Sequence, residues 1–94
     1  MTTPMEGIRI LELVRVGPGA FCTRLLADMG ADVIKIDSPP DPKRGTQGSP
    51  REQRIQRQAL DRNKKSIVLD LKQRSSQEVF YKLAATADVM LEGF

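Results

Sequence analysis

Apolar positions in this chain follow two rhythms, short near-continuous runs and stripes at helical spacing, and the changes between them predict the elements. Ile8, Ile10, Leu11 and Leu13 form an almost unbroken run from Ile8 to Leu13, the pattern of a strand covered on both faces in a parallel sheet. Gly17 and Gly19 then bracket Pro18, a residue suited to the first helical position because its missing N–H has no partner there anyway. From Ala20 to Met29, Phe21, Leu25 and Met29 share one stripe, with Cys22 and Leu26 beside it. That spacing predicts a helix whose stripe is buried, with Cys22 as a small core thiol. Gly30 is placed to end the helix as a left-handed C′ residue. A second strand, Val33 to Asp37, follows at once and closes a βαβ crossover, which is right-handed almost without exception.

Pro39, Pro40 and Pro42 end that strand and open a polar stretch running to about Gly48. Ser49-Pro-Arg-Glu52 has the capping-box form with proline at the first helical position, predicting a helix through about Leu60 with few apolar residues, Ile55, Ala59 and Leu60. Ser66 to Leu71 reads as a third strand. Ser75-Ser-Gln-Glu78 is a second capping box, followed by a helical stripe of Val79, Phe80, Leu83, Ala84 and Ala87. Asp88 to Leu91 is a fourth short strand. The pattern β-α-β-(α)-β-α-β predicts an α/β fold with a Rossmann-like open, mainly parallel sheet. Four strands with two or three helices leave a face poorly covered, so the sheet is expected to be incomplete, the first part of a larger domain.

Composition narrows the class. The chain has 94 residues, 39% hydrophobic and 29% charged, which suits one small globular unit with a thin core. No apolar run approaches the roughly 18 residues of a membrane span, and the N-terminus lacks the basic start and apolar core of a secretory signal. One cysteine allows no internal disulfide, so a reducing, cytoplasmic setting is expected. Histidine is absent, which removes the commonest general base and leaves no zinc-type metal site to expect. The net charge of +3 is modest, but Lys43, Arg44, Arg51, Arg54, Arg57, Arg62, Lys64 and Lys65 gather in the middle of the chain. Without aromatic residues or a nucleic-acid motif there, the basic segment reads as a solvated face and no nucleic-acid partner is expected.

The candidate chemistry lies in the strand–glycine–helix junction, since a helix N-terminus after a parallel strand presents backbone N–H groups where phosphate-bearing ligands bind. Gly17-Pro-Gly-Ala-Phe-Cys22 is a defective G-x-G-x-x-G, and Asp37 ends the second strand where a nicotinamide-cofactor ribose would be held. An NAD(P)-type dinucleotide module is therefore an alternative. Against it, Cys22 stands where the third glycine is needed for helix–strand packing, and Pro18 removes one N–H. Lys72, directly after the third strand, is placed to meet a phosphate or to be an ordinary exposed lysine. Cys22 has no histidine to activate it as a nucleophile.

Taken together, Gly7-Ile-Arg-Ile-Leu-Glu-Leu13, Gly17-Pro-Gly-Ala-Phe-Cys22, Leu26-Ala-Asp-Met-Gly-Ala-Asp-Val-Ile-Lys-Ile36, Asn63-Lys-Lys-Ser-Ile-Val-Leu-Asp-Leu-Lys72 and Ala87-Asp-Val-Met-Leu-Glu-Gly-Phe94 appear in order. This series resembles the start of the class III CoA-transferases, the family of formyl-CoA and carnitine CoA-transferases and α-methylacyl-CoA racemase. The resemblance runs from about residue 5 to residue 94. It implies that residues 1–94 are the N-terminal part of a large Rossmann-like domain, without the family's second, smaller domain. It also implies a longer protein that forms interlocked homodimers and acts on acyl-CoA and a carboxylic acid acceptor, with coenzyme A as substrate and no tightly bound cofactor.

The resemblance assigns roles residue by residue. Val16, Gly17, Pro18 and Gly19 resemble the loop lying along CoA; Leu69 and Lys72 resemble residues of the adenine and phosphate region; Gly93 and Phe94 resemble the start of a second CoA-lining loop. Many members carry an arginine after the acidic residue of the second strand, where this chain has Ser38, so that contact is lost or passes to Lys43 or Arg44. In the transferases an aspartate attacks the acyl thioester, and in the racemases an Asp/His pair moves the proton beside the thioester carbonyl. Those residues match positions beyond Phe94, which implies part of a binding site without the catalytic groups. The chain alone is then expected to be inactive, and a second alternative is a truncated non-catalytic fragment acting only by association with another subunit.

Overall fold

The computed structural model of the protein describes residues 3–14, 18–40 and 49–93. The elements run β1 (Arg9–Leu13), α1 (Pro18–Asp28), β2 (Asp32–Asp37), α2 (Pro50–Leu60), β3 (Lys65–Val68), α3 (Arg74–Thr86) and β4 (Val89–Glu92). The four strands form one sheet in the order β3-β2-β1-β4, and every neighbouring pair is parallel. This is the α/β alternation that the apolar rhythm predicts. β1 is paired on both sides, with Leu11 opposite Ile34 and Met90. Its residues Ile10 to Leu13 are all buried, as a run covered on both faces should be.

Alternate strand residues sort the core into two layers. Ile10 and Val33 meet Ala27, Ala31 and Leu26 under α1. Leu11, Leu13, Ile36 and Leu69 meet Phe80, Leu83 and Ala84 of α3, and Ala87 just after it, on the other face. Period-two alternation therefore places α1 and α3 on opposite sides of the sheet. Ile10 and Val33 are 2% and 1% exposed, and burying such side chains is worth about 1.5–3 kcal/mol each.

The helix ends are set by local chemistry. Gly30 has φ +103°, the Gly30 N–H donates to Ala27 O at 3.0 Å, and the Ala31 N–H donates to Leu26 O at 3.0 Å. Those two bonds are a Schellman stop, as the glycine predicts. At α2 the Ser49 hydroxyl accepts the Glu52 N–H at 3.2 Å, the first half of the predicted capping box. The box at Ser75 does not form. A turn in which the Gln73 N–H donates to Asp70 O at 2.9 Å starts α3 earlier, with Gln73 as N-cap and no side-chain cap bond.

The largest departure from expectation concerns α1. Its buried residues are Ala20, Thr23 and Ala27, whereas Phe21, Leu25 and Met29 are 47%, 40% and 40% exposed. Cys22 is also exposed and is not a core thiol. The large apolar stripe exists but faces away from the sheet, because small residues let the helix approach the strands closely. The sheet is also open at β4, where Val89 and Met90 are 48% and 55% exposed. Among the described residues no helix is long and apolar enough to cross a membrane.

Candidate functional site

The strand order reverses between β1 and β4: β1 leads through α1 to β2 on one side, while β3 leads through α3 back to β4 on the other. In open α/β sheets the crevice outside the carboxyl ends of the strands at such a reversal is where ligands bind. Three segments converge there. Val14, just past β1, is 9% exposed, and both glycines of the site press against it. A Cβ on Gly19 would lie 3.1 Å from Val14 Cγ2, and one on Gly93 would lie 2.8 Å from Val14 Cγ1. Neither glycine has a positive φ; closeness of the chains is what favours glycine, tightly at Gly19 and below any ordinary Cβ contact at Gly93, and Pro18 is the first residue of α1.

This packing bears on the dinucleotide reading. The third glycine of that fingerprint lets the helix pack closely on the strand, and here Gly19 against Val14 performs that service while Cys22 points to solvent.

Farther along the same edge, past β3, the structure separates Leu69 from Lys72. Leu69 is 8% exposed in the α3-side core, and its N–H donates to Asp37 O at 2.9 Å. Its side chain forms floor and is spent on packing. β3 ends at Val68, earlier than the predicted Leu71, so Lys72 does not directly follow the strand. Lys72 sits in a turn held by its own N–H donating to Asp70 Oδ1 at 3.2 Å, with its side chain exposed. Two strand spacings, about 10 Å, separate the lines of β3 and β1, so an extended ligand could touch both regions. Val16, Gly17, Phe94, Lys43 and Arg44 lie outside the described residues; Ser38 is exposed at the end of β2.

Beneath the first turn of α1 lies a cluster that sequence reading missed. Glu12, on the α1 face of β1, is 0% exposed, Thr23 is 1% exposed, and the Lys64 side chain is 1% exposed. Lys64 Nζ donates to Glu12 Oε1 at 2.9 Å, to Glu12 Oε2 at 3.1 Å and to Ala20 O at 3.1 Å, which uses all three ammonium protons. The Thr23 hydroxyl bonds Glu12 Oε1 and lies 3.1 Å from Ala20 O. A signal existed in the lone acid within the apolar run of β1, since a buried charge requires a partner. Which of the clustered cations supplied it could not be read.

The turn that delivers Lys64 holds both ends of α1. Asn63 adopts the left-handed region at φ +63°, which asparagine tolerates better than most residues. Its side-chain amide donates to Asp28 Oδ1 at 2.9 Å, and Arg62 Nη2 donates to Asp28 Oδ2 at 2.6 Å. The Arg62 hydrogen bond holds the Asp28 carboxyl below its ordinary pKa against an opposing desolvation, with Asn63 assisting. At the opposite edge of the sheet, the Lys65 hydrogen bond and then that of Arg9 outweigh desolvation to depress Asp32. Burial works against the charge on Lys35, but Asp37 and Asp61 together outweigh it and raise its pKa. Among the described residues no three His, Cys, Asp or Glu side chains gather as a metal site.

The parallel sheet, helices on both faces and crevice at the strand reversal define a Rossmann-like α/β unit. The chain belongs to CoA-transferase family III, whose family model matches residues 5–94. It is 42% identical over 97 aligned positions to a formyl-CoA:oxalate CoA-transferase of Rhodopseudomonas palustris (strain BisA53), covering 100% of this chain and 23% of that enzyme. A solved CAIB/BAIF family protein from Brucella suis superposes with a TM-score of 0.84 at 35% identity, over 100% of this chain and 26% of that one. A hypothetical protein from Mycobacterium tuberculosis superposes at 0.78 with 30% identity, over 99% and 26%. The chain thus spans about a quarter of the length of these relatives.

Proposed function

We propose that this chain is the CoA-binding N-terminal portion of an enzyme that transfers CoA between an acyl group and a carboxylic acid, or of a racemase relative acting beside a CoA thioester. The observation carrying it is the convergence of Val14, Gly19 and Gly93 at the strand reversal in a chain of CoA-transferase family III. CoA and its acyl thioesters are substrates in this reading, with no resident cofactor.

In this reading the ligand runs along the carboxyl edge of the sheet. Lys72 meets its phosphates beside β3, and Leu69 supplies the floor under the nucleotide. The remainder of CoA passes between the loop of Val16, Gly17, Pro18 and Gly19 and the segment of Gly93 and Phe94. Small residues suit that passage because they keep the crevice walls low. The reacting groups lie outside these 94 residues, in a homodimeric, cytoplasmic protein whose acyl acceptor is a carboxylic acid. Transfer is preferred to racemisation because a relative at 42% identity carries a transferase name.

Amide NMR of the chain, titrated with CoA and separately with NAD, tests the reading. Shifts confined to Gly19, Leu69, Lys72 and Gly93 on adding CoA are expected. Shifts with NAD and none with CoA would restore the dinucleotide alternative, and silence with both would remove the binding role.

A further inference from the structure

We propose that the buried Lys64–Glu12–Thr23 cluster is a positioning device for the first turn of α1, holding Gly19 and the Ala20 carbonyl in the conformation that fits CoA. This role rests on the CoA reading above. The cluster joins three segments: Glu12 from β1, Thr23 from α1, and Lys64 from the turn between α2 and β3. Its bonds end in the N-terminal turn of the helix. Lys64 Nζ and the Thr23 hydroxyl each lie 3.1 Å from the Ala20 carbonyl oxygen, and the hydroxyl lies 3.3 Å from that of Gly19.

Stability alone does not account for a buried ion pair at this place. Apolar residues of similar volume fill such sites as well or better, because two charges must be stripped of water to enter. What the charges add is direction. An ammonium with three acceptors fixes where the Ala20 carbonyl stands, which an apolar side chain cannot do. Gly19, with no side chain of its own, has the least intrinsic restraint of any residue in the turn. The cluster supplies that restraint from below while Val14 limits approach from the strand.

The test is Thr23→Val, which keeps the shape and removes the hydroxyl, with Thr23→Ser as the conservative rescue. Two readouts are taken on each chain. One is hydrogen exchange at the Arg24 and Leu25 amides, which close the first helical turn onto Ala20 and Phe21. The other is affinity for CoA compared with adenosine 3′,5′-bisphosphate, a probe of the nucleotide end alone. Thr23→Val is expected to speed exchange at those amides about tenfold, leave the β1 amides unchanged, and weaken CoA about five- to tenfold, in keeping with loss of one net hydrogen bond. Affinity for the bisphosphate stays level, and Thr23→Ser restores CoA binding.

Faster exchange throughout α1 and β1, with both ligands weakened alike, would mean a merely structural cluster and overturn the role. So would a CoA-binding chain in which Thr23→Val moves neither readout. A wild-type chain without CoA affinity overturns the parent reading and this role together, which separates the two failures.

Discussion

The two faces of α1 carry opposite kinds of residue and do opposite work. The inner face, Ala20, Thr23 and Ala27, is small and partly polar yet fully buried, and it lies over an ion pair. The outer face, Phe21, Leu25 and Met29, is large and apolar yet stands 40–47% exposed. Hydrophobicity alone would turn the helix the other way. Closeness decides instead: Gly19 can rest against Val14, and Thr23 can reach Glu12, only when nothing bulky lies between helix and sheet.

The sharpest way to break this contrast is to unbalance the inner face. Lys64→Met leaves the Glu12 carboxylate buried without its cation and is expected to cost about 3–5 kcal/mol in stability, read by urea denaturation. Adding Glu12→Leu should recover most of that loss, because the unpaired charge is then gone. If the single variant costs under about 1 kcal/mol, water reaches Glu12 and the inner face is not the sealed layer described.

Next in size is the crevice. Gly93→Ala places a methyl 2.8 Å from Val14 Cγ1. Val14 is β-branched and cannot easily turn aside, so overpacking of about 1–3 kcal/mol is expected. In a double-mutant cycle, Val14→Ala should relieve that cost and give a coupling of the same order. Purely additive losses would separate Gly93 from the β1 junction. Of intermediate size is Lys72→Ala, expected to weaken CoA by roughly fivefold, about 1 kcal/mol. The loss should shrink as salt rises, since Lys72 is exposed and screened. Salt-independent loss would place Lys72 outside the phosphate path.

The α/β order and the mainly parallel sheet are legible because runs and stripes report burial on one or two sides, and β1 is the clearest case; the α3 stripe is right at Phe80, Leu83 and Ala84, which pack on the core, but not at Val79, which is 38% exposed. The direction of α1 is not legible. Periodicity shows that Phe21, Leu25 and Met29 share a face, but it does not say which face meets the sheet when Ala20, Thr23 and Ala27 share another. The start of α3 was misplaced because the turn at Asp70 outcompeted a good capping sequence at Ser75. At the site, order along the chain brought Gly19 and Gly93 into view as separate blocks. Their meeting on Val14 needed the strand order, which no local pattern contains.

Acid should loosen the C-terminal end of α1. Asp28 at its C-terminal end titrates below its ordinary value of 3.8 because Arg62 and then Asn63 hold the carboxylate. A depressed acid gives stability that is fully present above the unfolded value and lost as pH falls through the lower folded one. Asp32 adds in the same direction. The thermal midpoint should therefore stay level down to about pH 5 and fall below pH 4, with Asp28→Asn flattening part of the fall. A midpoint that falls between pH 7 and 5 would point to a different group.

The smallest effect sharpens the comparison most. Leu25 on the outer face is 40% exposed, so Leu25→Gln should change the stability of a dilute monomeric chain by no more than about 0.5 kcal/mol. The same change at a core leucine would cost several times that. Running the measurement at two protein concentrations separates the causes. A loss near 2 kcal/mol at both would mean that the outer face packs within this chain after all, so that α1 is turned differently. A loss seen only at the higher concentration would mean that a second copy covers the stripe, since association stabilises by mass action. Insensitivity at both would leave the stripe as an apolar face of an otherwise settled helix. The burial of α1 would then rest on its smallest residues alone.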